Sequence, residues 1–206
     1  MKTLIIAAHP DDEVLGCGGT VLKLAKKQQI YSLVLNKGGR EKPILTDKVS
    51  DFMGFTKSWQ LDLPDNRFDT VPLADIVKIV EDVKNEIKPD VVFTHFEYDL
   101  NKDHQLTYQA VLTATRPMAK ETVKELYSFE IPSSTEWKFP NVFAPNVFID
   151  ISDTIEKKIE AFKMYETEVR DFPHPRSPEA MRVIAKRWGI LSGLKCVEAF
   201  YLVRKV

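Results

Sequence analysis

Cysteine is scarce in this sequence: Cys17 and Cys196 are its only two. They form neither a C-x-x-C pair nor a disulfide framework, so a reducing, cytoplasmic setting is the expectation. No apolar run approaches the length of a membrane span. Met1-Lys2-Thr3 leads straight into a short apolar stretch, so a signal peptide is not expected. Charge of one sign is also missing. The formal net charge is −1, so a nucleic-acid partner held through phosphate contacts is not expected. There is no linker, internal repeat or low-complexity segment. With 44% hydrophobic and 29% charged residues, positions 1–206 are expected to fold as one globular domain with a sizeable core.

What is present is a concentration of ionisable side chains at one place. Thr3-Leu4-Ile5-Ile6-Ala7-Ala8 is rich in strand formers and too short for a helix. It is followed by His9-Pro10-Asp11-Asp12-Glu13 and then Val14-Leu15-Gly16-Cys17-Gly18-Gly19-Thr20. Val21 to Lys27 reads as a helix. One imidazole and three carboxylates therefore sit at the C-terminal end of a first strand, the end at which open α/β sheets bind ligands. Such side chains repel one another or stay hydrated unless a cation holds them, and imidazole nitrogen and carboxylate oxygen are ordinary zinc ligands. A solvated acidic loop with a chance histidine is the alternative. Pro10 keeps His9 extended and stiffens the turn. Gly16, Gly18 and Gly19 permit tight turning and close approach at the helix start. They lack the G-x-G-x-x-G spacing of a dinucleotide fingerprint, and acids line their approach. Cys17 is read as a small residue in that turn.

The chain then alternates. Ile30 to Leu35 reads as a second strand, ending in the charged turn Asn36-Lys37-Gly38-Gly39-Arg40-Glu41. Arg40 is either a substrate contact or a surface arginine. A short helix is expected near Asp47 to Met53, and a third strand over Trp59 to Leu63. The turn-rich loop Pro64 to Asp69 follows. Leu73, Ile76, Val77, Val80, Val83 and Ile87 form one apolar face of a long helix, which Pro89 ends. Asp90 to Thr94 is a fourth strand leading into His95. The loop Phe96 to His104 follows, a second concentration of acids and an imidazole at the same edge, before a helix over Leu106 to Thr115. Alternation of this kind predicts an α/β fold: a Rossmann-like, mostly parallel sheet with helices on both faces and the metal site at the C-terminal strand edge. Beyond it, strands are expected over Lys124 to Ile131, Asn146 to Ile151 and Glu198 to Val203. Helices are expected from Ile155 to Tyr165 and up to about Trp188. The proline-rich loop Phe172 to Pro178 presents His174 and Arg176 rigidly.

His9 and Asp12 from the first loop, with His104 from the fourth, would make a site of two imidazoles and one carboxylate. Three protein ligands leave a fourth position for water, the pattern of a catalytic zinc. Asp11, not needed as a ligand, would accept a proton from that water. Asp103 would orient an imidazole from behind. For His104 a helix-capping role in a charged loop is an equal alternative.

The opening His9-Pro10-Asp11-Asp12-Glu13, the Gly18-Gly19-Thr20 after it and Asp103-His104 resemble the PIG-L/LmbE-like zinc-dependent N-deacetylases. The resemblance covers essentially the whole chain. Asp62 to Phe68 and Phe172 to Ser177 are similar to a bacterial branch tied to surface-sugar synthesis. It implies that His9, Asp12 and His104 bind Zn2+, although another divalent metal would suit the same donors, and that Asp11 is the general base. It also implies a Rossmann-like sheet and a small-molecule acetamido-sugar substrate. Many relatives carry a histidine three residues before the ligand histidine, where this chain has Asn101; Tyr98, His95 and His174 are candidates for its role. The segment holding Arg40 shows no counterpart of the Arg-and-Glu pattern common there. Substrate contacts are thus sought among Arg40, His95, Asn101, His174 and Arg176. The expected reaction is hydrolysis of an acetamido group to an amine and acetate. Hydrolysis of another amide or of an ester, or a non-catalytic metal- or sugar-binding role, are the competing readings. Self-association as a homo-oligomer is left open.

Overall fold

The computed structural model describes residues 1–38, 42–140 and 143–206. Among these residues seven strands form one sheet: β1 Lys2–Ala7, β2 Gln29–Val34, β3 Lys57–Gln60, β4 Val91–His95, β5 Glu125–Phe129, β6 Val147–Asp150 and β7 Val197–Lys205. Their spatial order is β3-β2-β1-β4-β5-β7-β6. The pairs β1–β2, β1–β4, β2–β3 and β4–β5 are all parallel. β7 pairs antiparallel with both β5 and β6 and alone opposes the rest. The order reverses between β1 and β4, the switch point at which doubly wound sheets open a crevice for ligands.

Among the described residues six helices cover the sheet: α1 Asp12–Leu24, α2 Lys42–Met53, α3 Leu73–Ile87, α4 Lys102–Ala114, α5 Ile155–Lys163 and α6 Pro178–Ser192. Alternation along the buried strands divides the core into two layers. Ile5, Phe93, Phe129 and Phe200 face α1, α2, α5 and α6, whereas Leu4, Ile6, Val92 and Leu126 face α3 and α4. Among the described residues, no helix is long and apolar enough to cross a membrane.

Of the boundaries that differ from the sequence expectation, three bear on the site. The first helix starts at Asp12, not Val21, so the three glycines lie inside it. Packing outweighs their poor helix propensity. A Cβ on Gly16 would stand 2.4 Å from the Phe129 ring, and one on Gly19 would stand 2.9 Å from Ile151. α1 also kinks at Cys17, where φ is −144°. Beyond the kink, the N–H groups of Gly19 and Thr20 donate to the Glu198 carboxylate at 2.8 and 2.7 Å. Lys158 Nζ completes this buried staple, donating to Glu198 Oε1 and to Leu15 O, both at 2.7 Å. The third strand ends at Gln60 rather than Leu63, and beyond it the Asn36 side chain donates to the Leu63 carbonyl. The fourth helix begins four residues early, at Lys102, because Asn101 caps it.

Because α1 carries the acidic cluster directly against β5, Gly16→Ala is expected to destabilise the fold by about 1–3 kcal/mol through overpacking. Urea unfolding measures this, and an unchanged midpoint would contradict the close approach.

A candidate metal centre at the switch point

The loop after β1 turns sharply into α1. Asp11, the residue before the helix, has φ of 101°, a left-handed conformation disfavoured for a residue with a side chain. Glu13 holds the turn from behind. It accepts the Asp11 N–H at 3.1 Å and the Tyr165 hydroxyl at 2.7 Å. Burial pushes its carboxyl up to about 7, marking it as structural. Asp12 closes the turn on the other side, its Oδ2 accepting the His9 N–H at 2.9 Å.

This turn brings two donor atoms together with one from α4. His9 Nδ1 and His104 Nε2 are 3.3 Å apart, and each lies 3.4 Å from Asp12 Oδ2. A tetrahedral site with bonds of about 2.0–2.1 Å has edges of about 3.3–3.4 Å, so the triangle matches one face of a zinc-like coordination shell. The remaining nitrogens are taken by carboxylates. His9 Nε2 meets Asp103 Oδ2, and His104 Nδ1 meets Asp99 Oδ1, both at 3.0 Å. This carboxylate–imidazole bracing orients each ring with its other nitrogen toward the centre of the triangle.

The electrostatics agree with a cation site. Burial disfavours a charged imidazole, yet hydrogen bonds to Asp103 and Asp12 raise His9 to about 10. His104 is raised to about 9 in the same way, by Asp12 and Asp99 against its burial. Burial likewise opposes the Asp12 anion, but the His104 charge and hydrogen bonds from His104 and His9 hold its carboxyl well below the usual range. The acids thus draw positive charge to this point, which protons supply on the free imidazoles and a divalent ion would supply in their place.

Asp11 stands beside the triangle and outside it. Arg176 Nη1 donates to Asp11 Oδ2 at 3.2 Å and to Glu168 Oε2 at 3.0 Å, while Arg176 Nε donates to Ser133 Oγ at 2.8 Å. Burial, with the neighbouring Asp12 charge, pushes the Asp11 carboxyl well up despite the guanidinium. A cleft of about 220 Å³ opens onto His9, Asp11, Asp12 and His104, with Arg176 and Asn101 on its walls.

The expected substrate contacts divide. Arg176 lines the cleft. Asn101 does too, but its Oδ1 is occupied as the helix cap, accepting from Asp103 N and His104 N, and its Nδ2 donates to Asn66. His95 does not line the cleft: it is fully buried behind the centre, stacked on His104 at 3.9 Å, and its Nε2 accepts the Ala8 N–H at 2.8 Å. Burial and His104 push its pKa well down, so it is a neutral strut rather than a substrate contact. Its position at the end of fully buried β4 accounts for this. His174 turns back on its own loop, its Nδ1 accepting the Arg176 N–H at 3.1 Å and its ring edge-on to Trp137. Tyr98 also lies outside the cleft. Arg40 falls outside the described residues. Asp99 and Glu168 were not singled out from the sequence. Asp99, five residues before His104, stood in plain view among the acids of that loop, but its role depends on the backbone turning it toward the ring.

Against this geometry, the family described as PIG-L, GlcNAc-PI de-N-acetylase, matches residues 4–115. The chain belongs to the PIG-L family. With that membership goes the family's reaction class, metal-dependent N-deacetylation. Among PIG-L relatives, the uncharacterized deacetylase YaiS of Escherichia coli K12 is 32% identical over 152 residues, 68% of this chain and 79% of that protein. The diacetylchitobiose deacetylase of Thermococcus kodakarensis is 26% identical over 225 residues, covering 98% of this chain and 83% of that protein. The fold is wider than one reaction. GalB, the 4-carboxy-2-hydroxymuconate hydratase of Pseudomonas putida KT2440, superposes with a TM-score of 0.79 at 18% identity, covering 100% of this chain and 98% of that chain. The reaction must therefore be argued from the site.

Because His9 and His104 have values of about 10 and 9, both rings hold protons near neutrality and must lose them to bind metal. Isothermal titration at pH 7, in buffers of different ionisation enthalpy, is expected to show about one divalent ion bound per chain with release of more than one proton. Affinity should weaken as the pH falls. Binding with a buffer-independent enthalpy would contradict this donor set.

Proposed function

We propose that this protein removes the acetyl group from an N-acetylated amino sugar or sugar conjugate, releasing acetate and a free amine. His9, Asp12 and His104 are the residues that would hold the metal, and zinc is the ion their donor types and spacing suit best. Such an ion supplies Lewis acidity toward a carbonyl oxygen and acidifies water. The observation that carries the reading is the pairing of this triangle with a separate, buried, proton-accepting carboxylate on the same cleft wall.

Asp11 is the general base in this reading. Arg176 occupies its Oδ2, which leaves Oδ1 for the attacking water. Its raised affinity for protons suits it to take one from water and to return it to the departing nitrogen. The water oxygen ends in acetate and the amide C–N bond breaks. Arg176, itself held by Glu168 and Ser133, keeps the base in place. The rest of the cleft is lined by Asn36, Asp65, Asn66 and Ser134, a polar lining that fits hydroxyl groups better than apolar ones. Asn101 acts here by capping α4 and so seating His104, not as a cationic acid.

Asp11→Asn is expected to retain metal while acetate release from an acetamido sugar falls by about 10²–10⁴-fold. Asp12→Ala should lose the metal itself. Metal content and product mass are measured on both variants. Near-native turnover in Asp11→Asn would remove the base assignment, and absence of any acetyl loss from acetamido sugars by the native protein would remove the substrate class.

A further inference from the structure

A second cavity shares no lining residue with the catalytic cleft. It measures about 230 Å³ and is lined by Phe96, Glu97 and Tyr98 of the β4–α4 loop, Tyr108 of α4, Ser128 of β5 and Tyr201 of β7. Phe96 packs edge-on against Tyr98 at 5.7 Å and against Tyr201 at 6.3 Å. Among the described residues the three tyrosines make no ring contact with one another, so they stand around the space rather than closing it. Tyr98 and Tyr201 leave 53% and 40% of their surface exposed.

Two polar groups in this wall are open to a ligand. Ser128 is fully buried, and its Oγ has no hydrogen-bond partner among the described residues. Glu97 pairs with no lysine or arginine among the described residues. Leaving a buried hydroxyl unpaired costs about 1–3 kcal/mol, which a ligand with a polar atom at that depth would recover. The local field has the sign that attracts cations. Burial pushes the Tyr108 phenol up to about 12, and Glu97, Tyr201 and Tyr98 push it further in the same direction.

We propose that this cavity binds a small organic cation of the trimethylammonium class, with aromatic walls around its methyl groups and Glu97 facing its charge. Aromatic rings attract such a cation through their quadrupoles, most strongly when it is desolvated. A quaternary ammonium donates no hydrogen bond, so ring faces and one carboxylate suffice to hold it. A neutral apolar ligand would strip water from Glu97 and leave Ser128 unpaired. The volume lies below the roughly 300–1,000 Å³ of sites for drug-sized ligands, so it suits a small cation or a headgroup. Free choline and a choline lipid headgroup present the same chemistry.

Isothermal titration of the intact protein with choline, and with its neutral isostere 3,3-dimethylbutan-1-ol, tests the proposal. Choline should bind at least about 10-fold more tightly than the isostere. Glu97→Gln and Tyr98→Ala should each weaken choline by about 5–30-fold, with Glu97→Gln leaving acetate release unchanged. Co-sedimentation with phosphatidylcholine vesicles, abolished by Glu97→Gln, would identify a lipid headgroup as the source. Choline binding without vesicle retention would identify a soluble one. Equal binding of choline and the isostere, choline affinity unchanged in Glu97→Gln, or no binding of choline in either form would overturn the proposal.

Discussion

The centre depends on two imidazoles being held from behind. A histidine at the end of a loop samples several rotamers, and two such rings beside a carboxylate have no reason to converge on one point. Asp103 and Asp99 remove that freedom by engaging the nitrogen of each ring that faces away from the site. The two carboxylates are themselves fixed. Asp103 Oδ1 accepts the Phe68 N–H at 2.9 Å, and Asp99 accepts from Ser134, from Thr135 at 2.5 Å and from Asn101 N at 2.8 Å. Segments far apart in sequence, around 68 and around 131–137, thus bear on the position of two ring atoms.

Burying so many charges is unfavourable unless each is paired. Asp11, Asp12, Asp99, Asp103 and His104 are all nearly inaccessible, and Asp11 adds a left-handed backbone. The two apolar layers that sandwich the sheet offset this cost. So does the Glu198–Lys158 staple, which secures the kinked helix carrying the acids. The separation has a functional consequence. Carboxylates that pair with imidazoles become firm anions, as Asp12 and Asp99 do. The one carboxylate facing only an arginine and other acids, Asp11, retains affinity for a proton. Two neighbouring aspartates thereby acquire different chemistry from their surroundings alone.

Much of this was legible before any coordinates. The parallel order of the first four strands follows from the strand–helix alternation, and the expectation that His9 and Asp12 lie at the same sheet edge as His104 follows from that order. What escaped the sequence depended on packing or on direction. The glycines of α1 read as a turn because their reason for being glycine is the Phe129 ring across the sheet. His95 read as a substrate contact because its strand-end position places it near the centre, while the burial that turns it into a strut is a property of the assembled layers. Asn101 read as a replaced catalytic group, yet its most visible work is the helix cap two residues before Asp103. Arg176 was one of several candidates in its loop. Only the fold brings it to Asp11, 165 positions earlier in the chain.

The metal centre depends on the donor set His9, Asp12 and His104. X-ray absorption at the zinc edge of the zinc-loaded protein reads that set directly. A four-coordinate shell of nitrogen and oxygen at about 2.0–2.1 Å is expected, with outer-shell scattering from two imidazoles that drops to one in His104→Ala. A six-coordinate oxygen shell, or the same scattering in the native protein and in His104→Ala, would contradict it.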